Sequence, residues 1–397
     1  MWLSDFTLVL PDRVIERGSL RIENGQIAEI AESPVSGGIA GDGLHLMAGF
    51  IDMHGDMIEV ELEPRPHVDM PMELALTHLD ARLAASGVTT AYAAVSFSRG
   101  NNQGGLRSFE HTHRTIADFY AIKDRMRVDH RIHARFDITF DNAVGVLADL
   151  IGAGHVDLVS VMDHTPGQGQ YRDIEKFIEK TASVQGLSQA DAREKITRRI
   201  AERTRPEELI LAVLDQVSRL CRDHGVPLAS HDDDTVEKAR LMVGIGAAIS
   251  EFPVTLEAAR EGVAGGMMTA MGAPNVLRGK SYSGNLSGRD AHAAGLLHIL
   301  AADYHPGTFL PAIKVLAASD PNGLPGAVAL ATSNPAQALG LGDRGALVVG
   351  KRADLAVADM AGLGRVVASF STGTPIFSDG TLSMLPAAGM SNIQAAQ

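Results

Sequence analysis

The sequence predicts an α/β protein built on a (β/α)8 TIM barrel, with a small β-sandwich domain formed by both termini. Three observations carry this. Apolar strand-like runs alternate with helical patterns through the middle of the chain, eight times in all. Short strands separated by turn residues occur at both ends. Histidines and carboxylates stand just past the apolar runs, at the end of a parallel barrel where its chemistry sits.

Taken in order, the N-terminal segment gives strands at Thr7–Leu10, Ser19–Ile22 and Gln26–Ile30. Pro11-Asp12 and Asn24-Gly25 separate them, and Asn-Gly between apolar runs is a hairpin signal. The C-terminal segment has the same texture. Gly345–Ala358 reads as two strands about a Gly350-Lys351 turn, followed by Val366–Phe370 and Thr374–Phe377. Residues 1–47 plus 340–385 are therefore assigned to the sandwich and 48–339 to the barrel. The eight barrel strands fall at Gly49–Met53, Thr89–Phe97, Ile132–Ile138, Val156–Met162, Pro227–Ser230, Ala247–Glu251, Gly266–Met271 and Leu297–Ala302. Their near-continuous apolarity is what burial on both faces of a parallel sheet demands. Periodic stretches such as Glu175–Thr181 and Pro206–His224 supply helices between them.

The formal net charge of −13 over 397 residues argues against general nucleic-acid binding, which needs a broad basic surface. It leaves room for an anionic substrate held by a local basic cluster. No apolar run of 18 residues predicts a membrane span, and the N-terminus lacks the pattern of a signal peptide. The single cysteine, Cys221, permits no intramolecular disulfide and reads as a buried helical residue, so a cytoplasmic location is expected. A homo-oligomer is compatible with all of this.

The strand ends carry the chemistry. The first ends in His54-Gly55-Asp56, where i and i+2 spacing points an imidazole and a carboxylate to one face. Asp137 closes the third, Asp163-His164 the fourth, His231-Asp232-Asp233-Asp234 the fifth, Glu251 the sixth and Asp303 the eighth. Each has a plain structural alternative. One of Asp232 to Asp234 is expected to cap the helix starting near Thr235. Asp137 beside Arg135 could be an ion pair, and Glu251 a buried structural carboxylate. Jointly they suit one or two divalent ions, zinc first and manganese or iron next, with His54, Asp56, Asp137, His164, His231 and Asp303 as ligands. Asp303 is also assigned as the general base that takes a proton from the attacking water.

A second set is basic and glycine-rich. Arg65 follows strand one, Arg172 follows strand four, and Asn275, Arg278, Lys280, Ser283 and Asn285 follow strand seven. Arginine forks and close backbone approach suit a polyanionic small molecule. The loop after strand seven is a frequent phosphate position in barrels.

These residues, taken together, resemble the PhnM family of the amidohydrolase superfamily, diphosphatases of the carbon–phosphorus lyase pathway. The likeness rests on His-Gly-Asp at 54–56 with Pro-Arg-Pro at 64–66, Ser-Gly-Val-Thr-Thr at 86–90 and Met-Asp-His-Thr-Pro-Gly-Gln at 162–168. It continues through Ala-Ser-His-Asp-Asp at 229–233, Glu-Phe-Pro-Val-Thr at 251–255, Met-Gly-Ala-Pro-Asn at 271–275, Ser-Gly-Asn at 283–285 and Asp-Tyr at 303–304. The resemblance implies a metal-dependent barrel that hydrolyses α-D-ribose 1-methylphosphonate 5-triphosphate to the 5-phosphate and pyrophosphate. By position it places the family's metal residues on His54, Asp56, His164, His231 and Asp303. Two departures stand out. Asp137 replaces the usual glutamate, and Lys280 and Tyr282 replace a glycine and a histidine. The competing readings are hydrolysis of an amide or cyclic amide, and a metal-free scaffold. An aspartate in place of the second histidine of His-x-His, and the basic loops, weigh against the former.

Overall fold

The computed structural model describes residues 1–65, 68–97, 109–281 and 284–383. Two sheets organise the chain. The first takes β1 (Trp2–Val9), β2 (Val14–Glu23), β3 (Gln26–Ala31), β4 (Ile39–Ala40) and β5 (His45–Ala48) from the N-terminus. The second is the barrel: β6 (Phe50–Gly55), β7 (Val88–Phe97), β8 (Asp129–Asp137), β9 (Leu158–Met162), β10 (Leu228–His231), β11 (Ile249–Glu251), β12 (Met268–Gly272) and β13 (Ile299–Ala301). The chain then returns to the first sheet with β14 (Leu355–Asp359), β15 (Arg365–Ser371) and β16 (Thr374–Ser378).

The terminal sheet runs β16-β15-β14-β5-β1-β2-β3, with β4 beside β1. It is one continuous hydrogen-bonded sheet around its own core, which includes Phe6, Leu20, Ile27, Leu355 and Phe370. The β2–β3 hairpin turns at Asn24 (φ 51°) and Gly25 (φ 76°), the left-handed pair that an Asn-Gly turn provides. One expectation fails. Gly345–Val349 forms no strand. The residues just past it meet the β2–β3 hairpin instead: Gly350 N–H donates to the Ile27 carbonyl, Ile27 N–H to that of Lys351 and Ala353 N–H to that of Gly25, while Val348 and Val349 are exposed.

The barrel strands pair in parallel in sequence order, β6 through β13. Every residue of β7 is buried, as its run of Val, Thr, Ala, Tyr and Phe requires. Ile51, Met53, Tyr92, Leu158, Ile249 and Ile299 fill the barrel interior, with Ala336 and Leu339 packed against them. Alternate residues such as Ile132, Ala134 and Phe136 face the surrounding helices. A single residue, Gly49, joins sheet to barrel. A Cβ there would lie 2.4 Å from the Thr89 side chain, so only glycine lets the two strands meet.

Closure between β13 and β6 is made by backbone and one carboxylate. Asp303 N–H donates to the His54 carbonyl (2.9 Å) and Asp56 N–H to that of Asp303 (2.8 Å). The fully buried Asp52 accepts from Ala302 N–H (2.9 Å) and His54 N–H (3.2 Å) through one oxygen, Oδ1. Burial pushes this carboxyl up to about 6, the two N–H donors working against the rise. Asp52→Ala is expected to lower stability by about 1–3 kcal/mol per orphaned donor. Asp52→Asn keeps an acceptor in place and should cost much less. Urea unfolding midpoints of the two variants check this order.

Candidate metal centre and active site

Two histidine–carboxylate groups meet at the C-terminal mouth of the barrel. In the first, His54, His133 and Glu251 bring one ligand atom each within 4.8 Å of one another. In the second, His164, His231 and Asp232 do the same. The groups share a wall. Glu251 accepts from both sides, with Oε1 3.2 Å from His54 Nδ1 and Oε2 3.0 Å from His231 Nδ1. The His54 and His231 rings stack with centroids 5.5 Å apart.

The backbone is bent to build this. Asp232, Phe252 and Asp303 sit just past β10, β11 and β13 and adopt φ of 56°, 53° and 57°. This left-handed conformation costs a non-glycine residue on the order of 1–3 kcal/mol. Phe252 is bulky and gains nothing locally from it. Its ring instead packs edge-on against His54 (4.9 Å) and His231 (5.4 Å), fixing both imidazoles. The β6–β7 ladder is irregular between Asp52 and Gly55. That irregularity lets His54 reach Glu251 although Met53 next to it packs in the interior, as a bulge beside a site does.

The electrostatics suit a cation. Burial would raise the Glu251 carboxyl, but His133 and His54 overcome it and hold it well below the usual range. Burial pushes His133 down to about 3, against the pull of Glu251. Burial, then the charges of His231, Arg135 and Arg203, hold His164 well below an ordinary histidine. Burial also opposes a charge on His54, yet Glu251 and Asp56 raise it to about 10. His164 Nε2 and Asp232 Oδ2 are buried without a hydrogen-bond partner, 3.7 Å apart, and His231 Nε2 lies 3.7 Å from the same Asp232 oxygen. Imidazole and carboxylate atoms left unpaired and converging on one point are a donor set that a divalent ion fits.

Of the residues expected from sequence, His54, His164 and His231 stand in these groups. Asp56 lies 3.4 Å from His54 Nε2, but its Oδ1 is bound at 2.7 Å by Arg135. Asp303 belongs to neither group. It hangs at the closure beside Asp56, and burial followed by the Asp56 charge pushes its carboxyl up to about 6. Asp137 departs from expectation. It accepts from Thr139 Oγ1 (2.6 Å), pairs with Arg203 and stands in neither group. The residues that reasoning missed are His133, Asp232 and the buried Arg135. His133 and Arg135 share the inner face of β8 with Asp137 at i−4 and i−2, a period-two signal present in the sequence. The run Asp232 to Asp234 reads as supplying a helix cap, but Thr235 caps that helix by accepting from Lys238 N–H. Asp233 instead accepts from Ser230 and Ser250, joining β10 to β11, and Asp234 accepts from Gly169 N–H.

The expected anion loops divide. Arg65, Arg172, Arg278 and Lys280 are exposed and have no ion-pair partner among the described residues. Asn285 is half-buried. Asn275 is used by its own loop, accepting from Gly288 N–H at 2.9 Å. Ser283 and Tyr282, like Pro66, lie outside the described residues.

No family model matches the chain. It is 36% identical over 370 residues to the α-D-ribose 1-methylphosphonate 5-triphosphate diphosphatase of Escherichia coli (strain K12), covering 90% of this chain and 95% of that protein. Among solved structures it resembles 5-methylcytosine deaminase from Klebsiella pneumoniae (TM-score 0.65, 16% identity, 97% of this chain and 100% of that one). It also resembles N-acetyl-D-glucosamine-6-phosphate deacetylase from Mycobacterium smegmatis (TM-score 0.62, 16% identity, 95% and 100%). At these identities the two structures speak for the barrel fold. The sequence match speaks for more: the chain belongs to the family of α-D-ribose 1-methylphosphonate 5-triphosphate diphosphatases.

Proposed function

We propose that this enzyme hydrolyses α-D-ribose 1-methylphosphonate 5-triphosphate to the 5-phosphate and pyrophosphate in phosphonate catabolism. The observation that carries the reading is the pair of histidine–carboxylate groups joined by Glu251, set beside Asp303 in a chain of a diphosphatase family. His54, His133 and Glu251 would hold one divalent ion, and His164, His231 and Asp232 a second, with Asp56 at the edge of the first. The imidazole majority favours zinc, then manganese or iron. Ions bound there supply Lewis-acid polarisation of a phosphoryl oxygen and acidify water.

The protein residues do the rest. Asp303 accepts the proton of the attacking water as its oxygen bonds to the α-phosphorus. The bond from that phosphorus to the bridging oxygen breaks, and pyrophosphate leaves. Arg135, held on Asp56 with its Nε buried and unpartnered, offers a fixed donor to charge developing on the α-phosphoryl oxygens. Glu251 and Phe252 keep the imidazoles oriented. No helix among the described residues is long and apolar enough to cross a membrane. A cytoplasmic enzyme acting on a free small molecule is the reading that goes with this.

The test is direct. Metal-loaded protein given a ribosyl 5-triphosphate should release pyrophosphate and the 5-monophosphate in equal amounts. Release of orthophosphate instead, or turnover of amides with no action on the triphosphate, would overturn the assignment.

A further inference from the structure

The chain between β9 and β10 holds more than one barrel helix. Ile174–Gln185 and Gln189–Arg203 form a hairpin that precedes the barrel helix Glu207–His224. The hairpin has a small core of its own, Ile178, Ala182, Ala192 and Ile196, and turns at Gly186. Asp173 and Ser188 cap its two helices, and the Arg193 fork bridges back to Glu175. It is a self-supporting arm, and its last turn returns to the mouth of the barrel.

That turn carries Arg199 and Arg203, one helical turn apart on one face. Arg203 lies over the Phe140 ring at 5.2 Å, pairs with Asp137, and points Nε at Thr165 Oγ1 (3.4 Å), the residue after His164. Arg199 is half-buried, and among the described residues it forms no hydrogen bond or ion pair. The nearby carboxylates are taken. Asp137 serves Arg203 and Thr139, and Asp163 accepts from Thr165 N–H and the Gln168 side chain. Burial and the charge of Arg203 both act against the Arg199 cation, with Tyr171 and Asp137 in partial compensation. Tyr171 in turn lies edge-on to His164, ring centroids 6.3 Å apart. Two like charges at i and i+4 on a partly buried helix face destabilise unless an anion comes between them.

We propose that Arg199 and Arg203 of this arm bind the two phosphates distal to the cleaved bond, the part of the substrate that leaves as pyrophosphate. The cluster adjoins the His164 side of the metal groups and offers two forks to vicinal phosphoryl oxygens. Arg203 is built in by Asp137, whereas Arg199 is the free half of the clamp. The proposal rests on the diphosphatase reading for the identity of the anion, though not for the existence of the site.

Calorimetric titration of inorganic pyrophosphate into the metal-loaded protein tests it. Arg199→Gln keeps helix propensity and should weaken pyrophosphate binding by about 10–100-fold, the usual worth of a charge-assisted contact. The KM for the triphosphate should rise by a similar factor with kcat within about threefold. Arg193→Gln, on the same arm but paired to Glu175, should bind pyrophosphate as the wild type does. Unchanged affinity in Arg199→Gln, or an equal loss in Arg193→Gln, overturns the proposal. If the wild type fails to cleave the triphosphate while Arg199→Gln still loses pyrophosphate affinity, the reaction assignment falls and the anion site stands. If cleavage is robust and the variant binds normally, the reverse holds.

Discussion

Asp303→Asn is expected to lower turnover by about 10²–10⁴-fold while the protein keeps its metal, the range that loss of a general base commonly produces. Asp303 N–H and C=O bond to His54 and Asp56 and complete the barrel closure, and its φ of 57° lies in the left-handed region. Asparagine tolerates that region better than most residues, so the substitution preserves the closure and the strained turn. What it removes is a carboxylate that stands outside both histidine–carboxylate groups and beside Asp56. Elemental analysis should find the metal content of the wild type, and initial rates with the triphosphate should collapse. Near-normal rates with full metal would take the base role from Asp303. Loss of the metal together with the rate would make it a ligand instead.

The barrel was legible because a parallel strand buried on both faces leaves a largely apolar run, as β7 and β9 do, whereas β8 sets Ile132, Ala134 and Phe136 between polar residues. The Asn24-Gly25 hairpin was legible because that dipeptide supplies the left-handed pair itself. Gly345–Val349 has strand-like composition, but the backbone bonds to the β2–β3 hairpin are made by Gly350, Lys351 and Ala353 just past it, and composition does not encode partners. The site was half legible for a related reason. Reading the residue just past each strand finds His164 and His231 but stops two inward-facing positions too high on β8, where the group reaching Glu251 is His133, four residues before Asp137. It also misjudges Asp232, because a run of three aspartates before a helix is the ordinary signature of a cap. Thr235 does that work, which frees Asp232 for the site. The hairpin arm carries ordinary amphipathic helices. Nothing in their spacing tells that their final turn lies against the barrel mouth rather than on its flank.

His133→Ala and Asp137→Asn separate the two versions of the metal site. His133 is buried, reaches Glu251 Oε1 at 3.6 Å and Ser160 Oγ at 2.9 Å, and leaves Nδ1 without a partner. Losing a ligating imidazole lowers metal affinity at least as much as losing a residue that merely orients a ligand, about 10–100-fold or more. Dialysed His133→Ala should therefore retain about one ion fewer than the wild type and lose most of its activity. Asp137→Asn should retain the full metal content, because its carboxylate is spent on Arg203 and Thr139. Its effect should fall on the arm: Arg203 loses its charged partner, and the KM for the triphosphate rises while the metal stays. Unfolding midpoints distinguish a lost ligand from a collapsed core, since removing the imidazole also strands the Ser160 hydroxyl. If Asp137→Asn sheds an ion and His133→Ala keeps both, the strand-end reading of the sequence was right, and the Asp137–Arg203 pair must open when metal binds. If both variants shed an ion, the first site spans the inner face of β8 from His133 to Asp137. Arg135 lies between those two residues on the same face, so its pairing with Asp56 would then depend on metal occupancy.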